Sequence, residues 1–395
     1  MQPHIYSQQQ HNIPQERIDS DALFVIDRLQ KAGHIAYLVG GGVRDLLMGL
    51  YPKDFDISTS AKPEEVRRLF SNSLLIGRRF RLAHIRFGKK TFEVSTFRAG
   101  DTAEDSLILR DNIWGVPEED VLRRDFTING LFYDPQYKQV IDYVGGMQDI
   151  QNHFLRTIGD ANIRFKQDPV RMIRLLKFRA RFGFAIDECT WQALLDNYLE
   201  ITKSSPARVV EELLRMLESG HSLSFFTLLE QTKMLAILMQ TFDEECKNIG
   251  NKELLSYLHI VDHFHKQHIN EKLDRTVLLA ALIFPIIEKK LERISFEDVS
   301  FTTILKTAES ILNPLFHQSF VQFTKRQRFL VEFILVMQQR FDLTLKTSKI
   351  RPRLLSHPEK NIALQMLFLR SHNHELLRPL YTQWKEASRG EPHPI

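Results

Sequence analysis

A run of three glycines, Gly40-Gly41-Gly42, constrains the fold of this chain more than any other feature. The run follows a β-type segment at residues 35 to 39 and precedes a segment with helical spacing at residues 43 to 48. Glycines let a backbone approach a ligand closely, and the N–H groups of a following helix can bind phosphate oxygens. A dinucleotide-binding G-x-G-x-x-G motif counted from Gly40 requires glycine where the chain has Asp45. The sequence therefore predicts a phosphate-binding turn that is not of the dinucleotide-binding type.

Two aspartates, Asp54 and Asp56, follow the glycine run in the segment KDFDIST. We predict a strand over residues 54 to 59, in which side chains at positions i and i+2 project from the same face. Mg²⁺ prefers hard oxygen ligands and is usually held by one or two carboxylates together with substrate phosphates. An isolated D-x-D segment is most often a solvated strand edge. The nearby glycine run favours instead a site for Mg²⁺ or Mn²⁺ provided by Asp54 and Asp56.

The 395 residues divide into a part with alternating elements and a part with helical patterns. A polar, glutamine-rich segment at residues 1 to 18 is expected to be flexible. Residues 19 to 150 alternate helix-type and strand-type segments, which indicates a mixed α/β domain. Beyond residue 150 the strand patterns fade, and amphipathic helical patterns continue to the end. We predict an α+β protein with an N-terminal α/β head and a long all-α remainder.

A second motif lies in the segment RRDFTIN, where Arg123 and Arg124 precede Asp125 and Asn129. Arginines can clamp triphosphate oxygens, while the carboxylate and the amide can hydrogen-bond ribose hydroxyls. On these residues alone, helix capping by Asp125 with solvated arginines explains the segment equally well. Only the other motifs in the sequence favour the nucleotide-binding interpretation of this segment.

A third motif, DPVRMIR, contains Asp168 and Arg171. An aspartate before Pro169 is a common helix start, so Asp168 can be simply an N-cap residue. The same helix leaves Asp168 and Arg171 one turn apart, where an acceptor and a fork of donors can bind the edge of a nucleotide base. From the spacing of Asp168 and Arg171 alone, helix capping and base recognition are equally good interpretations.

Basic residues are concentrated in one segment rather than spread along the chain. The net charge of +4, from 53 basic and 49 acidic residues, does not by itself indicate a polyanionic partner. Residues 164 to 181, however, contain seven basic residues and one acidic residue. Arg174, Lys177 and Arg181 fall on one helical face there, which predicts binding to nucleic-acid phosphates. Ordinary solvated faces are the alternative for this segment and for a second basic stretch, which consists of Arg78, Arg79, Arg81 and Arg86.

The compartment is inferred from cysteine use and from hydropathy. Cys189 and Cys246 form neither a disulfide framework nor a metal-ligand spacing. No apolar run reaches the roughly 18 residues of a membrane-spanning helix, and the N-terminus lacks the pattern of a signal peptide. We expect a soluble, cytoplasmic protein.

A histidine-rich segment, DHFHKQH at residues 262 to 268, invites a metal-binding interpretation. His263 and His265 lie on different sides of a helix, so we favour a solvated helix over a metal site.

Taken together, the motifs resemble the bacterial poly(A) polymerase and CCA-adding enzyme family, the class II branch of the nucleotidyltransferase superfamily. The resemblance implies a nucleotidyltransferase head at residues 19 to 150 that binds metal and ATP. It also implies a helical neck at residues 151 to 225 that binds the base and RNA, and a helical body and tail at residues 226 to 395 that bind RNA. The segments that carry it follow the family order: LVGGGVRDLLMG, KDFDIST, RRDFTINGLFYD, DPVRMIRLLKFRARFGF and SPARVVEELLRML.

The resemblance also implies roles for individual residues. Asp54 and Asp56 match the metal-binding carboxylates, Asp125 matches an active-site acid near the ribose, and Glu93 is a further candidate for a third carboxylate. Gln167 stands where the family usually has glutamate, so we expect a weaker charge network around the base-recognising arginine. The predicted nucleotide-binding set is Gly41, Gly42, Arg44, Arg123, Arg124, Asn129, Asp168 and Arg171, and the predicted RNA-binding set is Arg174, Lys177 and Arg181.

Two segments, GRRFRLAHIRFG and LRDNIWG, resemble poly(A) polymerases more than CCA-adding enzymes. The resemblance therefore implies a template-independent adenylyltransferase that adds AMP from ATP to RNA 3′ ends and releases pyrophosphate. A CCA-adding enzyme acting on tRNA is the nearest alternative. A catalytically silent RNA-binding protein with the same fold is another, against which the intact Asp54 and Asp56 argue. A nucleotidyltransferase for small molecules fits the basic neck and the long helical body less well.

Overall fold

The computed structural model describes residues 1–76, 82–99, 113–249, 251–268, 271–291, 301–317, 319–347 and 352–389. The chain forms two compact units. The first contains residues 1–179 and 183–197, and the second contains residues 180–182 and 198–395. Arg78, Arg79 and Arg81 of the second basic stretch, and residues 109–112 of the LRDNIWG segment, lie outside the described residues.

A twisted eight-stranded sheet organises the described part of the first unit, with the spatial order β1-β10-β9-β2-β3-β6-β5-β4. Strands β3 and β6 are parallel, and the other neighbours in this sheet are antiparallel. Short pairs form between β7 and β8 and between β11 and β12. The strands are β1 (His4–Tyr6), β2 (Ala36–Val39), β3 (Asp56–Thr59), β4 (Ser73–Ile76), β5 (Leu82–Phe87), β6 (Lys90–Thr96), β7 (Arg98–Ala99), β8 (Ile113–Trp114), β9 (Leu131–Asp134), β10 (Gln139–Asp142), β11 (Phe154–Leu155) and β12 (Ala185–Ile186).

Helices pack against the sheet through apolar faces, and α2 is an example that contacts β2 and β3. In α2, Ala22, Val25, Ile26 and Leu29 are fully buried at the spacing of one helical face. The helices of this unit are α1 (Gln8–His11), α2 (Ser20–Lys31), α3 (Gly41–Leu47), α4 (Pro63–Leu69), α5 (Pro117–Leu122), α6 (Gly146–Gln151), α7 (Ala161–Gln167), α8 (Val170–Phe182) and α9 (Glu188–Asn197), with 3₁₀ turns at Gln15–Arg17 and Thr127–Asn129. The last turn of α8 belongs to the second unit.

The second unit is helical throughout its described residues. The longest apolar run of the chain, residues 277 to 287, is a core segment of α15, which packs against α14 and α17. No described helix is both long and apolar enough to cross a membrane. The helices are α10 (Pro206–Leu217), α11 (Ser222–Gln231), α12 (Met234–Leu238), α13 (Gln240–Ile249), α14 (Asn251–Gln267), α15 (Arg275–Leu291), α16 (Phe301–His317), α17 (Lys325–Thr347), α18 (Pro352–Leu355), α19 (Lys360–Asn373) and α20 (Arg378–Arg389), with 3₁₀ turns at Tyr198–Lys203 and Glu375–Leu377.

The predicted fold class, a mixed α/β head followed by an all-α remainder, is confirmed. The expectation that residues 1 to 18 are flexible is wrong, because this segment is part of the fold. Strand β1 pairs with β10 at the sheet edge, and the buried His11 ring lies 3.1 Å from the Lys138 carbonyl oxygen. Ile13 is fully buried and donates its N–H to His11 Nδ1. The prediction of flexibility rested on the glutamine-rich composition, which does not reveal the few residues that anchor the segment.

Candidate active site

The glycine run forms a tight turn between β2 and α3. Gly40 has a φ of +65°, a backbone conformation that side chains disfavour, and it directly precedes the first residue of α3. A Cβ at Gly42 would lie 3.3 Å from the Asp54 carbonyl oxygen. The turn and the segment that carries Asp54 are therefore in close contact, as the sequence predicted from their proximity along the chain.

Three carboxylates gather beside this turn. Asp56 is the first residue of β3, and Asp54 lies two residues before it, so the strand begins later than the predicted residue 54. Pairing of Ile57 with Val94 brings Glu93 on β6 next to Asp56. The side chains of Asp54, Asp56 and Glu93 all retain exposed surface. The sheet thus supplies two members of the cluster and the preceding loop supplies the third.

The three carboxylates of the cluster repel one another, and this repulsion changes the pKa of Asp56. Loss of surrounding water, followed by repulsion from Glu93 and then Asp54, raises the pKa of Asp56 to about 6, while Arg124 opposes the shift. A carboxylate that the fold keeps close to other carboxylates is suited to bind a cation, because the cation relieves their repulsion.

The donor set fits a hard divalent cation that keeps open coordination positions. Among the described residues, no group of three or more His, Cys, Asp or Glu side chains is arranged to hold a metal ion on its own. Mg²⁺ is commonly held by one or two carboxylates, with waters and substrate phosphates as the remaining ligands. Asp54 and Asp56 would hold such an ion, and Glu93 is the neighbour whose charge acts most strongly on Asp56.

Both arginines of the RRDFTIN segment are fixed by Asp120, a residue to which the sequence analysis gave no role. Arg123 Nε donates to Asp120 Oδ1 at 3.0 Å, and Arg124 Nη2 donates to Oδ2 at 2.8 Å. Burial would raise the pKa of Asp120, but Arg124 and Arg123 outweigh it and the net shift is downward. The i, i+3 and i, i+4 spacing was the available signal.

Arg124 faces the glycine turn and the carboxylates at once. Its Nη1 would lie 3.4 Å from a Cβ at Gly40, and its Nη2 lies 3.3 Å from Ser58 Oγ on β3. It is also the cation that partly offsets the raised pKa of Asp56. The structure therefore brings this predicted nucleotide-binding residue to the predicted metal site.

Asn129 links two other predicted site residues inside the protein. Its amide nitrogen donates to Asp125 Oδ1 at 3.0 Å, and its oxygen accepts from Arg44 Nη1 at 2.6 Å. Arg44 is buried and also pairs with Asp45, with Nη2 to Oδ1 at 2.6 Å. Its guanidinium lies over the Phe178 ring of α8. Arg44, which the resemblance placed in the nucleotide-binding set, is thus part of an internal network.

Asp125 anchors helix α8 to the sheet domain. Arg174 Nη2 lies 2.9 Å from Asp125 Oδ2, and the Phe126 N–H donates to Oδ1. Burial acts to raise the pKa of Asp125, but Arg174, Asn129 and Arg171 outweigh it and lower that pKa. Arg174, predicted from charge clustering to bind RNA phosphate, therefore has an internal partner within the same unit.

The Asp168 segment differs from the predicted helix start. Helix α8 begins at Val170 with Pro169 as its N-cap, and Asp168 is instead the residue that ends α7. Arg171 is buried, donates from Nη2 to the Arg123 carbonyl oxygen at 2.9 Å, and interacts electrostatically with Asp168. Asp168 therefore lies one residue before the N-cap position of α8 and not at it.

Lys177 and Arg181, the other two residues of the predicted RNA-binding face, are both partly exposed. Lys177 Nζ lies 5.6 Å from the centre of the Phe178 ring. Arg181 lies over the Phe182 ring and belongs to the second unit, whereas Lys177 belongs to the first.

Comparison with known proteins gives the chain a family. A model described as the poly A polymerase head domain matches residues 36–156, and one described as a probable RNA and SrmB-binding site of polymerase A matches residues 183–246. Poly(A) polymerase I of Salmonella typhi is 35% identical over 410 residues, covering 99% of this chain and 87% of that protein. The chain belongs to the poly(A) polymerase I family. The resemblance inferred from the motifs is confirmed.

CCA-adding enzymes are also relatives of this family member. The CCA-adding enzyme of Lactobacillus helveticus is 38% identical over 215 residues, which cover 54% of this chain and 53% of that enzyme. The crystal structure of Bacillus stearothermophilus CCA-adding enzyme in complex with CTP superposes with a TM-score of 0.64 at 24% identity, covering 92% of this chain and 80% of that one. This structural similarity establishes a shared fold.

Gln167, where the resemblance implied glutamate, has a defined structural context. Arg164 is buried and donates from Nη1 to Gln167 Oε1 at 2.8 Å, and from Nη2 to the carbonyl oxygens of Leu122 and Arg124. Burial and the nearby charge of Arg171 lower the pKa of Arg164 to about 9. In this poly(A) polymerase family member, the neutral amide of Gln167 thus accepts a hydrogen bond from the buried Arg164 guanidinium. The same guanidinium joins α7 to the carbonyl oxygens of Leu122 and Arg124.

Proposed function

We propose that this protein is a template-independent polynucleotide adenylyltransferase that adds AMP from ATP to the 3′ ends of RNA. The observation that carries the proposal is the carboxylate cluster beside the glycine turn, intact in a chain that aligns with poly(A) polymerase I over 99% of its length. The reaction requires a metal-bound triphosphate next to an RNA 3′ end, and the head offers acidic and basic groups at one place.

In the proposed reaction, the RNA 3′-hydroxyl oxygen attacks the α-phosphorus of ATP. A new phosphodiester bond forms, the bond from the α-phosphorus to the bridging oxygen breaks, and pyrophosphate leaves with the electron pair. The hydroxyl proton passes to solvent. A divalent cation, when bound, supplies positive charge for the phosphate oxygens and acidifies the attacking hydroxyl. Asp54 and Asp56 would hold it, with Mg²⁺ or Mn²⁺ as the candidates.

The triphosphate is assigned to the glycine turn and to Arg124. The backbone at Gly41 and Gly42 can approach phosphate oxygens closely, and Arg124 carries positive charge beside both the turn and Asp56. Asp120 holds Arg124 in place and prevents it from collapsing onto the carboxylates. Arg44 is assigned to positioning, because Asp45 and Asn129 already bind it.

Asp125 is assigned to orientation of the site and not to proton abstraction. Its pKa is lowered, Asn129 donates a hydrogen bond to its Oδ1, and Arg174 Nη2 lies 2.9 Å from its Oδ2, so it is a weak base. Through Asn129 it fixes Arg44 near the glycine turn, and through Arg174 it fixes helix α8.

The nucleotide base is assigned to Asp168 and Arg171. Within the described part of the chain, Arg171 Nη1 is buried and has no hydrogen-bond partner, although Nη2 is bonded to the Arg123 carbonyl. A buried donor without a partner costs about 1–3 kcal/mol, which a base acceptor in the complex would recover. An acceptor on Asp168 next to this donor matches the amino group and ring nitrogen of adenine.

RNA is assigned to the partly exposed Lys177 and Arg181 and to the second unit. Residues 183–246 match the model described as a probable RNA and SrmB-binding site, and residues 198–246 of that match belong to the second unit. We infer residues 19–150, 151–225 and 226–395 as head, neck, and body and tail. We also infer a cytoplasmic location, consistent with Cys189 and Cys246 being free thiols.

A nucleotide-by-nucleotide extension assay tests the proposal. An unstructured RNA and a tRNA lacking its 3′ terminus are each incubated with the full chain, a divalent cation and a single nucleoside triphosphate. Sustained extension of the unstructured RNA with ATP alone supports the proposal. Addition of a short triplet to the tRNA that depends on CTP would replace it with CCA addition, the second candidate, which the CCA-adding relatives favour. No cation-dependent product from either RNA would leave only an RNA-binding protein.

A further inference from the structure

The loop that joins α3 to β3 carries Asp54, the member of the carboxylate cluster that no strand holds. Asp56, in contrast, is fixed by the pairing of β3 with β2 and β6. At the start of the loop, the Leu50 N–H donates to the Asp45 carbonyl oxygen at 2.8 Å. Within the described part of the chain, residues 51 to 55 form no backbone–backbone hydrogen bond. The position of Asp54 therefore depends on other contacts of the loop.

Arg17, from the N-terminal segment, contacts this loop at two residues. Its Nη1 donates to the Gly49 carbonyl oxygen at 2.8 Å, and its guanidinium carbon lies 4.7 Å from the centre of the Tyr51 ring. Tyr51 is 75% exposed, so its ring has few other neighbours to restrain it. The two contacted residues precede Asp54 by five and three positions. Arg17 therefore binds the loop close to the carboxylate.

The segment that presents Arg17 is anchored on both sides. Ile13 is fully buried, and Ile18 is 4% exposed. Between them, the Arg17 N–H donates to the Pro14 carbonyl oxygen at 3.0 Å in the 3₁₀ turn. Further upstream, β1 pairs with β10. Because its backbone is already ordered, Arg17 restrains the loop at a smaller cost in conformational entropy than a flexible tail would incur.

Capping of α3 is the alternative role for Arg17, because a cation near the last carbonyl groups of a helix stabilises the helix. The end of α3 is, however, closed by its own backbone. The N–H groups of Met48, Gly49 and Leu50 donate to the carbonyl oxygens of Arg44, Leu46 and Asp45, respectively. The Gly49 oxygen that accepts from Arg17 lies beyond this last turn. The contact therefore restrains the loop rather than the helix.

We propose that Arg17 is a positioning residue for AMP transfer. It holds residues 49 to 51 of the loop and so keeps the Asp54 carboxylate where it can share a divalent cation with Asp56. The inference rests on the proposed function for the cation and for the reaction. It gives residues 1 to 18 a role in supporting the active site that their composition did not indicate.

Hydrogen exchange of the loop in the metal-free full chain tests the assignment first. The variants are Arg17→Ala, Arg17→Lys and the control Arg28→Ala, which removes an exposed arginine lying 5.1 Å from the centre of the Phe70 ring in the same unit. The amides of residues 51 to 54 should exchange about fivefold faster in Arg17→Ala. Arg17→Lys keeps a cation and a donor and should restore most of the protection, and the control should exchange like the unmodified chain.

Binding of Mg²⁺ alone, without nucleotide or RNA, is the second measurement. The Mg²⁺ concentration that gives half of the rise in melting temperature should increase about fivefold in Arg17→Ala and stay unchanged in Arg28→Ala. The kcat of AMP transfer at limiting Mg²⁺ should fall by a similar factor in Arg17→Ala and recover at high Mg²⁺. A contact that only stabilises the fold would lower the melting temperature of the metal-free chain and leave the Mg²⁺ midpoint and the loop exchange unchanged.

Unchanged loop exchange or an unchanged Mg²⁺ midpoint in Arg17→Ala would overturn the proposal, as would the absence of any Mg²⁺-dependent rise in the unmodified chain. If Arg17→Ala does not fold, Tyr51→Ala removes the exposed partner of the contact and should shift both measurements in the same direction. A chain that shows these shifts but transfers no AMP would refute the proposed function and retain the role of Arg17. Normal AMP transfer, with Arg17→Ala indistinguishable from Arg28→Ala, would do the reverse.

Discussion

Glu93 opposes the ionisation of Asp56 more strongly than Asp54 does, although Asp54 is only two residues away in the chain. The reason is the parallel pairing of β3 with β6, which sets Glu93 beside Asp56 across the sheet. The carboxylate cluster is therefore a property of the sheet as much as of the D-x-D segment.

Replacement of Glu93 tests this relationship through the pH dependence of AMP transfer. Repulsion from Glu93 raises the pKa of Asp56, and a bound cation requires the ionised form. The rate should therefore fall as the pH drops through about 6, where Asp56 becomes protonated. In Glu93→Gln the pKa of Asp56 is lower, so the acidic limb of the pH–rate profile should move to lower pH. An acidic limb that stays in place would show that Asp56 does not control it.

Asp120 should be required for the arrangement of Arg123 and Arg124. Asp120→Ala removes the buried carboxylate that both arginines share and should lower the free energy of unfolding by about 3 kcal/mol. It should also raise the KM for ATP, because Arg124 is no longer held beside the glycine turn. The control is Asp27→Ala, which removes an exposed pair with Lys31 and should change stability by less than about 0.5 kcal/mol. Urea unfolding and steady-state kinetics measure both effects, and similar results for the two variants would refute the assignment.

We expect Arg174 to have a structural role and Lys177 to have a role in RNA binding. Arg174→Ala leaves the Asp125 carboxylate buried without its main cation and should cost about 2 kcal/mol of stability. Lys177→Ala should weaken RNA binding and reduce the slope of log affinity against log salt by about one. If Lys177→Ala binds RNA with the salt dependence of the unmodified chain, the predicted RNA face of α8 is wrong.

Gln167 should be needed as an acceptor for Arg164 and not for its neutrality. Gln167→Leu leaves a buried guanidinium N–H without a partner and should destabilise the chain by about 2 kcal/mol. Gln167→Glu introduces the glutamate that the resemblance implied and keeps an acceptor for the same nitrogen, so stability should be retained. Thermal unfolding of the two variants measures the difference, and equal loss in both would show that the neutral amide itself is required.

Local sequence spacing was enough to predict the glycine turn, the D-x-D pair and the head followed by helices. It failed where the partner is remote in the chain. Arg44 and Asn129 are 85 residues apart, and no spacing rule links them, so the hydrogen bond between these two predicted nucleotide-binding residues was not foreseen. Arg174 lies on a basic helical face, which predicted RNA binding without revealing Asp125. Asp120 was detectable at i+3 and i+4 from its arginines but was hidden among the acidic residues of α5.

AMP transfer by Asp54→Asn and Asp56→Asn tests the central claim most directly. Each variant, the exposed-site control Asp27→Asn and the unmodified chain are compared for pyrophosphate release from ATP with an unstructured RNA, alongside the rise in melting temperature on adding Mg²⁺. The account predicts a loss of activity of at least about a thousandfold and no Mg²⁺-dependent stabilisation in either site variant, with the control unaffected. Transfer of AMP at the unmodified rate by either site variant would contradict it.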